Sequence, residues 1–170
     1  VDRLLGPYKP PQRQLCNLHQ IIERVSQLAQ IDNPNEVSFS RDYDPSIPDF
    51  LLDPELIEQA LLNIVRNAQQ VLVTGGDIVL QSRILHQHTI HGRRHRLVAT
   101  VKVIDNGPGI PAEIKDTLFY PMVSGKPGGT GLGLSISQTL IHQHGGWIDC
   151  ENWPGRTEFT LYLPISTKGD

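Results

Sequence analysis

Residues 97–110 read LVATVKVIDNGPGI, and the reading of the whole chain starts here. Side chains alternate along a strand, so Leu97, Ala99, Val101, Val103 and Asp105 share one face. Four apolar residues leading to a carboxylate turn Asp105 toward the core side. A buried carboxylate without donors is costly, so either protein amides or a ligand must supply hydrogen bonds. The turn that follows carries Gly107 and Gly109, which leave space beside that carboxylate. The alternatives are an aspartate that caps its own turn and an aspartate that faces a ligand.

Working backward, residues 77–84 form a second strand, and the simplest reading of 77–105 is a surface hairpin. Its connection holds His86, His88, His91 and His95 with Arg93, Arg94 and Arg96 around Gly92. A metal site there lacks supporting carboxylates or thiolates, so solvated histidines are expected. Upstream, Asp53 offers an N-cap and Pro54 a first helical residue. Leu56, Ile57, Ala60, Leu61, Ile64, Val65 and Ala68 then extend a buried stripe until Gly75 and Gly76 stop it. Asn63 and Asn67 sit one turn apart at its margin, where asparagine costs about half a kcal/mol relative to alanine. They are either plain flank residues or amides with a use. An earlier amphipathic helix presents Leu18, Ile21, Ile22, Val25, Leu28 and Ala29, with Asn17 and Gln20 as its N-cap pair. A strand over 37–43 and the breaks Asp44, Pro45 and Pro48 lead to Phe50, Leu51 and Leu52. Residues 1–11 read as a helix remnant and a linker broken by Gly6, Pro7, Pro10 and Pro11.

Working forward, Gly107, Gly109 and Ala112 satisfy a dinucleotide-fingerprint spacing. Pro108 and Pro111, however, remove amides that would meet a pyrophosphate, and the following helix is short. No Walker loop is present either, since Lys126 is followed by Pro127. Residues 125–134, GKPGGTGLGL, pack five glycines into ten positions before an apolar helical pattern. That density suggests a lid feeding phosphate into a helix N-terminus. The helix runs through Leu134, Ile136, Leu140 and Ile141, and closes at His144, Gly145 and Gly146. Residues 147–152 and 157–163 form a last hairpin with Phe159, Leu161 and Leu163 inward. Three principal helices and strands with antiparallel neighbours predict an α+β two-layer sandwich, its mixed sheet covered on one face by about three helices.

The composition is that of one globular domain: 170 residues, 38% hydrophobic, net charge -3 and pI near 6.2. That balance argues against a dedicated nucleic-acid or membrane surface. Two cysteines and no long apolar run or leader suggest a cytoplasmic setting, and a start at Val1 suggests an excised piece.

In order, these features resemble the successive boxes of the sensor histidine kinase ATP-binding domain. They are Asn63 with Asn67 and Ala68; Asp105 through Ile110; Leu118, Phe119 and Pro121; and Gly129, Thr130, Gly131, Leu132, Gly133 and Leu134. That family shares the Bergerat (GHKL) fold with gyrase-type ATPases, Hsp90 and MutL, and the resemblance covers residues 15–164. Residues 105–136 resemble in particular its nitrogen-regulation branch.

The resemblance implies that Asp105 accepts a hydrogen bond from the adenine amine, which favours ATP over GTP. It assigns Gly107, Gly109 and Ile110 to the same nucleotide site. Asn67 would ligate Mg²⁺, and Asn63 would sit beside the phosphates or the metal's water shell. Gly129, Thr130, Gly131, Leu132 and Gly133 would fold the lid over the triphosphate, with Lys126 as a mobile cation on the outer phosphates. Many relatives carry Lys and an aromatic residue where Gln70 and Val71 stand here, so Arg66 or Lys126 would carry more of the charge.

Gyrase-like ATPases place a glutamate at the position of Asn63 to activate water. An amide has no basicity at neutral pH, so slow hydrolysis and phosphoryl transfer are expected, with Asn63 and Lys126 as catalytic candidates. None of the seven histidines lies in the family's His-Glu-x-x-Asn-Pro pattern. The expected acceptor is therefore a histidine on a separate dimerisation domain, whose end would be residues 1–14, with 15–170 as the catalytic and ATP-binding domain. Other partners implied are a response regulator of the NtrC type and a PII signal protein, with no nucleic acid and no membrane. The piece itself is expected to be monomeric and the full-length protein a homodimer. The alternatives are a Bergerat ATPase or chaperone module, and a nucleotide-regulated interaction domain without transfer.

Overall fold

The computed structural model describes residues 10–109 and 132–167. Along the chain these form β1 (Gln14–Cys16), α1 (Leu18–Ile31), β2 (Ser38–Asp42), β3 (Phe50–Leu52), α2 (Pro54–Val71), β4 (Asp77–Ile90), β5 (Arg93–Asp105), α3 (Leu132–Gln143), β6 (Trp147–Trp153) and β7 (Arg156–Pro164). Five strands make one mixed sheet in the order β2-β4-β5-β7-β6, with β2 parallel to β4 and every other pair antiparallel. The three helices of the described residues supply the second layer, as the sequence pattern predicted. No helix among the described residues is long and apolar enough to cross a membrane.

Each helix begins or ends where its sequence says it should. Asn17 caps α1, its Oδ1 accepting from the His19 amide at 2.9 Å. The cap is one-sided, because Gln20 contributes only its backbone amide, to the Asn17 carbonyl at 3.1 Å. Asp53 caps α2 by accepting from the amides of Glu55 and Leu56, and Pro54 takes the first helical position. At the end of α3 the Gly145 amide bonds to the His142 carbonyl and the Gly146 amide to Ile141, with Gly145 at φ +74°. This is a Schellman closure, and it needs the left-handed conformation that glycine adopts without strain.

The stripes of α1 and α2 meet the inner sheet face. Ile22, Val25, Ile57, Leu61, Ile64 and Val65 are fully buried against Leu80, Val101, Val103 and Leu161. Burial of this kind contributes about 1.5–3 kcal/mol per large aliphatic side chain. Helices α2 and α3 run antiparallel: Ser137 Oγ donates to the Ala60 carbonyl at 2.9 Å, and seven residues further along α3 the His144 ring meets the Asp53 amide that precedes α2.

Two features differ from the sequence reading. The strands expected over 77–84 and 97–105 continue to Ile90 and Arg93, so the supposed linking segment is mostly strand. Only His91 and Gly92 turn, both at positive φ as a two-residue hairpin requires. The extension is held by side-chain packing that local propensity does not reveal: His88 stacks on Tyr162, and His91 meets Trp147 edge-on. Among the described residues no group of three or more potential ligands is arranged to hold a metal ion. The second feature is β1, a strand that the sequence pattern did not announce, which straddles the expected boundary between residues 14 and 15 and pairs antiparallel with β3.

Candidate nucleotide site

Asp105 ends β5 on the inner face and is 2% exposed. Its Oδ1 accepts from the Gly107 amide at 2.9 Å, so the carboxylate does brace its own turn. The turn is held from outside as well. Asn106 Oδ1 accepts from the Asp77 amide at 2.8 Å while its Nδ2 donates to the Asp77 carboxylate at 3.1 Å. Gly107 packs where no side chain fits comfortably: a Cβ there would stand 3.1 Å from Asp105 Oδ1, 3.2 Å from Leu72 and 3.5 Å from Val71. The carboxylate and its turn therefore lie against the C-terminal end of α2.

Asn63, Asn67 and Val71 follow one another at intervals of four residues along α2 and so lie on one side of it. With a rise of 1.5 Å per residue, Asn67 lies about 6 Å and Asn63 about 12 Å back from Val71. Both asparagines are half-buried. Asn67 Nδ2 donates to the Asn63 carbonyl at 2.8 Å, which commits the donor side of that amide to the helix. An amide oxygen is the hard, neutral donor that Mg²⁺ accepts alongside phosphate and water.

The antiparallel contacts of α3 complete the row. Ser137 stands level with Ala60 and His144 with Asp53, so the same register projects Leu132, the first residue of α3, to about the level of Val65. The positive end of that helix thus falls between Asn63 and Asn67, where it favours an anion. One side of the domain carries, in sequence, a buried acceptor, an amide pair and a helix N-terminus.

Arg66 is turned elsewhere, with its guanidinium 3.8 Å from Asp32 beyond the end of α1 in an exposed pair. Gly109 sits at the far side of the turn, at φ +92°, where a Cβ would meet the Trp153 carbonyl at 3.1 Å and Asn152 Nδ2 at 3.3 Å. Ile110, Lys126, Gly129, Thr130 and Gly131 lie outside the described residues, as does the side chain of Leu132, while Gly133 contributes backbone to the first turn of α3. Thr157 is a residue that sequence reasoning passed over. It stands directly opposite Asp105 in the β5–β7 register and is 4% exposed. The signal was available, since Thr157 heads the inward alternation of Phe159, Leu161 and Leu163 just as Asp105 ends that of Ala99, Val101 and Val103.

Behind the site, His144 joins α3 to the start of α2. Its Nδ1–H donates to the Leu140 carbonyl at 2.8 Å, and its bare Nε2 accepts from the Asp53 amide at 3.1 Å. Burial of the ring holds its pKa below the ordinary imidazole value, so the neutral form that this arrangement requires is favoured. The chain ahead of β1 is fastened to the same corner: the Gln12 amide donates to Asp53 Oδ2 at 2.8 Å, and Arg13 donates to the Gln143 carbonyl at 3.0 Å.

Residues 52–167 match the family described as histidine kinase-, DNA gyrase B- and HSP90-like ATPase. The sensory histidine kinase/phosphatase NtrB of Vibrio alginolyticus is 59% identical over 167 residues, which is 97% of this chain and 48% of that protein. NtrB of Rhodobacter capsulatus is 38% identical, over 96% of this chain and 47% of its own length. The chain thus spans about half the length of the curated relatives it matches. Among solved structures, the nucleotide-free catalytic domain of histidine kinase ThkA superposes with a TM-score of 0.77 at 29% identity, over 91% of this chain and 96% of that one. ThkA in complex with the response regulator TrrA gives 0.73 at 27% identity, over 91% and 42%. Full-length ShkA in complex with AMPPNP, at 22% identity and a TM-score of 0.79 over 99% of this chain and 34% of that one, shares the fold. The chain belongs to the histidine kinase-, DNA gyrase B- and HSP90-like ATPase family.

Proposed function

We propose that this chain is the ATP-binding catalytic domain of a sensor histidine kinase of the nitrogen-regulation type. It would pass the γ-phosphoryl group of ATP to a histidine on a dimerisation and phosphoacceptor domain, with residues 1–14 joining the two and 15–170 forming the catalytic domain. The observation that carries this reading is the Asp105 turn set against the end of α2, along which Val71, Asn67 and Asn63 follow at intervals of four residues.

In this reading the adenine amine donates to Asp105, and Thr157 offers its hydroxyl from the adjacent strand. Gly107, packed on the end of α2, and Gly109, packed on Trp153 and Asn152, hold the turn that presents Asp105, and Ile110 is assigned to the same site. Asn67 would hold Mg²⁺ through its side-chain oxygen, with Asn63 beside the phosphates; bound there, the ion would neutralise charge on the phosphate oxygens. Lys126 and residues 129–133 are assigned to the lid over the triphosphate. Because Asn63 is an amide, no group at its position withdraws a proton from water, and the site favours transfer to an imidazole that is already nucleophilic. The work left to the protein is positioning and screening of charge.

The response regulator would be of the NtrC type, and a PII protein would modulate the full-length homodimer. The test mixes the chain with γ-labelled ATP and a separately prepared acceptor domain. Label on the acceptor's histidine is expected. Rapid phosphate release without labelling would point instead to an ATPase.

A further inference from the structure

The distal half of the β4–β5 hairpin does not continue the plane of the sheet. Strand β5 separates β4 from β7, and both β5 and β7 separate it from β6. At the usual strand spacing, β4 would stand about 10 Å from β7 and about 14 Å from β6. Yet the His88 ring lies parallel to Tyr162 with centroids 5.2 Å apart, and His91 meets Trp147 at 4.9 Å. The hairpin end therefore curls back over the ends of β7 and β6, where His91 also meets His142 at the end of α3 edge-on at 5.2 Å. The bend coincides with Gln87, which has φ 53° in mid-strand. Ile90 is 5% exposed beneath the tip, and His142 of α3 stacks on Trp147 at 5.6 Å.

The curl leaves a recess of about 320 Å³ between tip and sheet, lined by His88, Ile90, His91, Trp147, Asp149 and Tyr162. Trp147 remains 38% exposed at its mouth. The tip is also the most basic part of an acidic chain. Between Asp77 and Asp105 there is no carboxylate, in a protein of net charge -3. Of the cations in that stretch, Arg83 and Lys102 pair with Asp42 and Glu158. Arg93, Arg94 and Arg96 are exposed and form no ion pair among the described residues.

We infer that this curled tip is a docking surface for an acidic protein segment, which seats one aromatic side chain in the recess and lays its carboxylates along Arg93 and Arg94. Tryptophan, tyrosine and arginine are the residues that dominate binding energy at interfaces, and here they meet on a pre-shaped surface that loses little entropy on binding. Asp149 selects the anchor: a side chain with an apolar body and one donor, such as tyrosine or tryptophan, meets both the rings and the carboxylate. A recess for one side chain beside a short row of arginines, in a chain of net charge -3, makes a protein segment the better match than a nucleic acid or an anionic membrane, which call for a wider basic field.

The test uses fluorescence anisotropy on the whole chain with short labelled peptides rich in Asp and Glu around a central Tyr. The same peptide with Ser in place of Tyr, a single-stranded oligonucleotide and phosphatidylserine vesicles serve as comparisons. The acidic Tyr peptide should bind, weaken about tenfold in Trp147→Phe or in the Arg93→Glu/Arg94→Glu variant, and weaken by a similar factor when salt rises to several times the physiological level. The arginines are exposed, so the fold of that double variant is retained, and its ATP affinity should match the parent. No binding, binding unchanged in both variants, equal binding of the Ser peptide, or tighter binding of the oligonucleotide or vesicles would each overturn the inference.

Discussion

Replacing Asp105 by asparagine separates the two roles the carboxylate fills. The side chain is 2% exposed, and its Oδ1 holds the Gly107 amide at 2.9 Å. Asparagine keeps one oxygen for that amide, so the turn and its packing against Leu72 and Val71 survive. It replaces the other oxygen with an NH₂ group, which would confront the adenine amine donor to donor. A hydrogen bond to a charged acceptor contributes about 1.5–3 kcal/mol, which corresponds to a loss of about 10- to 150-fold in ATP affinity. Selectivity for ATP over GTP should fall as well, because guanine presents a carbonyl where adenine presents the amine. Isothermal titration calorimetry with both nucleotides measures the affinities, and a thermal melt establishes that the variant is folded. A folded Asp105→Asn protein that binds ATP within about twofold of the parent would refute the adenine assignment, since a loss of only ~0.4 kcal/mol is too small for the bond proposed.

Asn67→Ala should abolish the Mg²⁺-dependent part of ATP affinity while leaving binding in chelator nearly unchanged; titrations with and without the metal distinguish the two. Gly146→Ala would drive its new Cβ into the Tyr162 carbonyl and to 2.9 Å from Ile141 Cγ2, so it should destabilise the fold by about 2–3 kcal/mol in a urea titration. Asp53→Ala removes the α2 cap and the acceptor for Gln12, and should cost about 2 kcal/mol, or roughly 4–8 °C in melting temperature. For His144 the folded pKa lies below the ordinary 6.5, so the unfolded chain binds more protons in the interval between the two. Stability should therefore be full above about pH 6.5 and fall as pH drops toward the lowered value. Denaturation at several pH values should show that slope in the parent and a reduced one in His144→Gln.

Much of the architecture was legible because local chemistry and tertiary fold agree. Asp53 and Pro54 announce the start of α2, Gly145 closes α3, and the alternation from Ala99 to Asp105 turns the acid inward, as observed. The misread elements are those whose reasons lie elsewhere in the chain. Residues 85–96 look like a loop because histidines and arginines carry no strand signal, yet they are strand because Tyr162 and Trp147, some seventy and fifty residues further on, give them rings to pack on. Residues 14–16 have no period of their own to announce a strand, and they become one only by pairing with Phe50, Leu51 and Leu52. Thr157 is one inward threonine among several on β7 until the register sets it opposite Asp105.

The sequence by itself determined the helices, the inward carboxylate, the asparagine pair and the family to which their order belongs, because caps, periodicity and motif spacing are properties of neighbouring residues. Only the tertiary structure decided that the Asp105 turn lies against the end of α2 beyond Val71, that α3 begins at about the level between the two asparagines, and that the hairpin curls back over the ends of β6 and β7. Those facts depend on how antiparallel helices are set against each other and how strands register across a sheet. Packing between distant segments fixes both, and no local pattern encodes it.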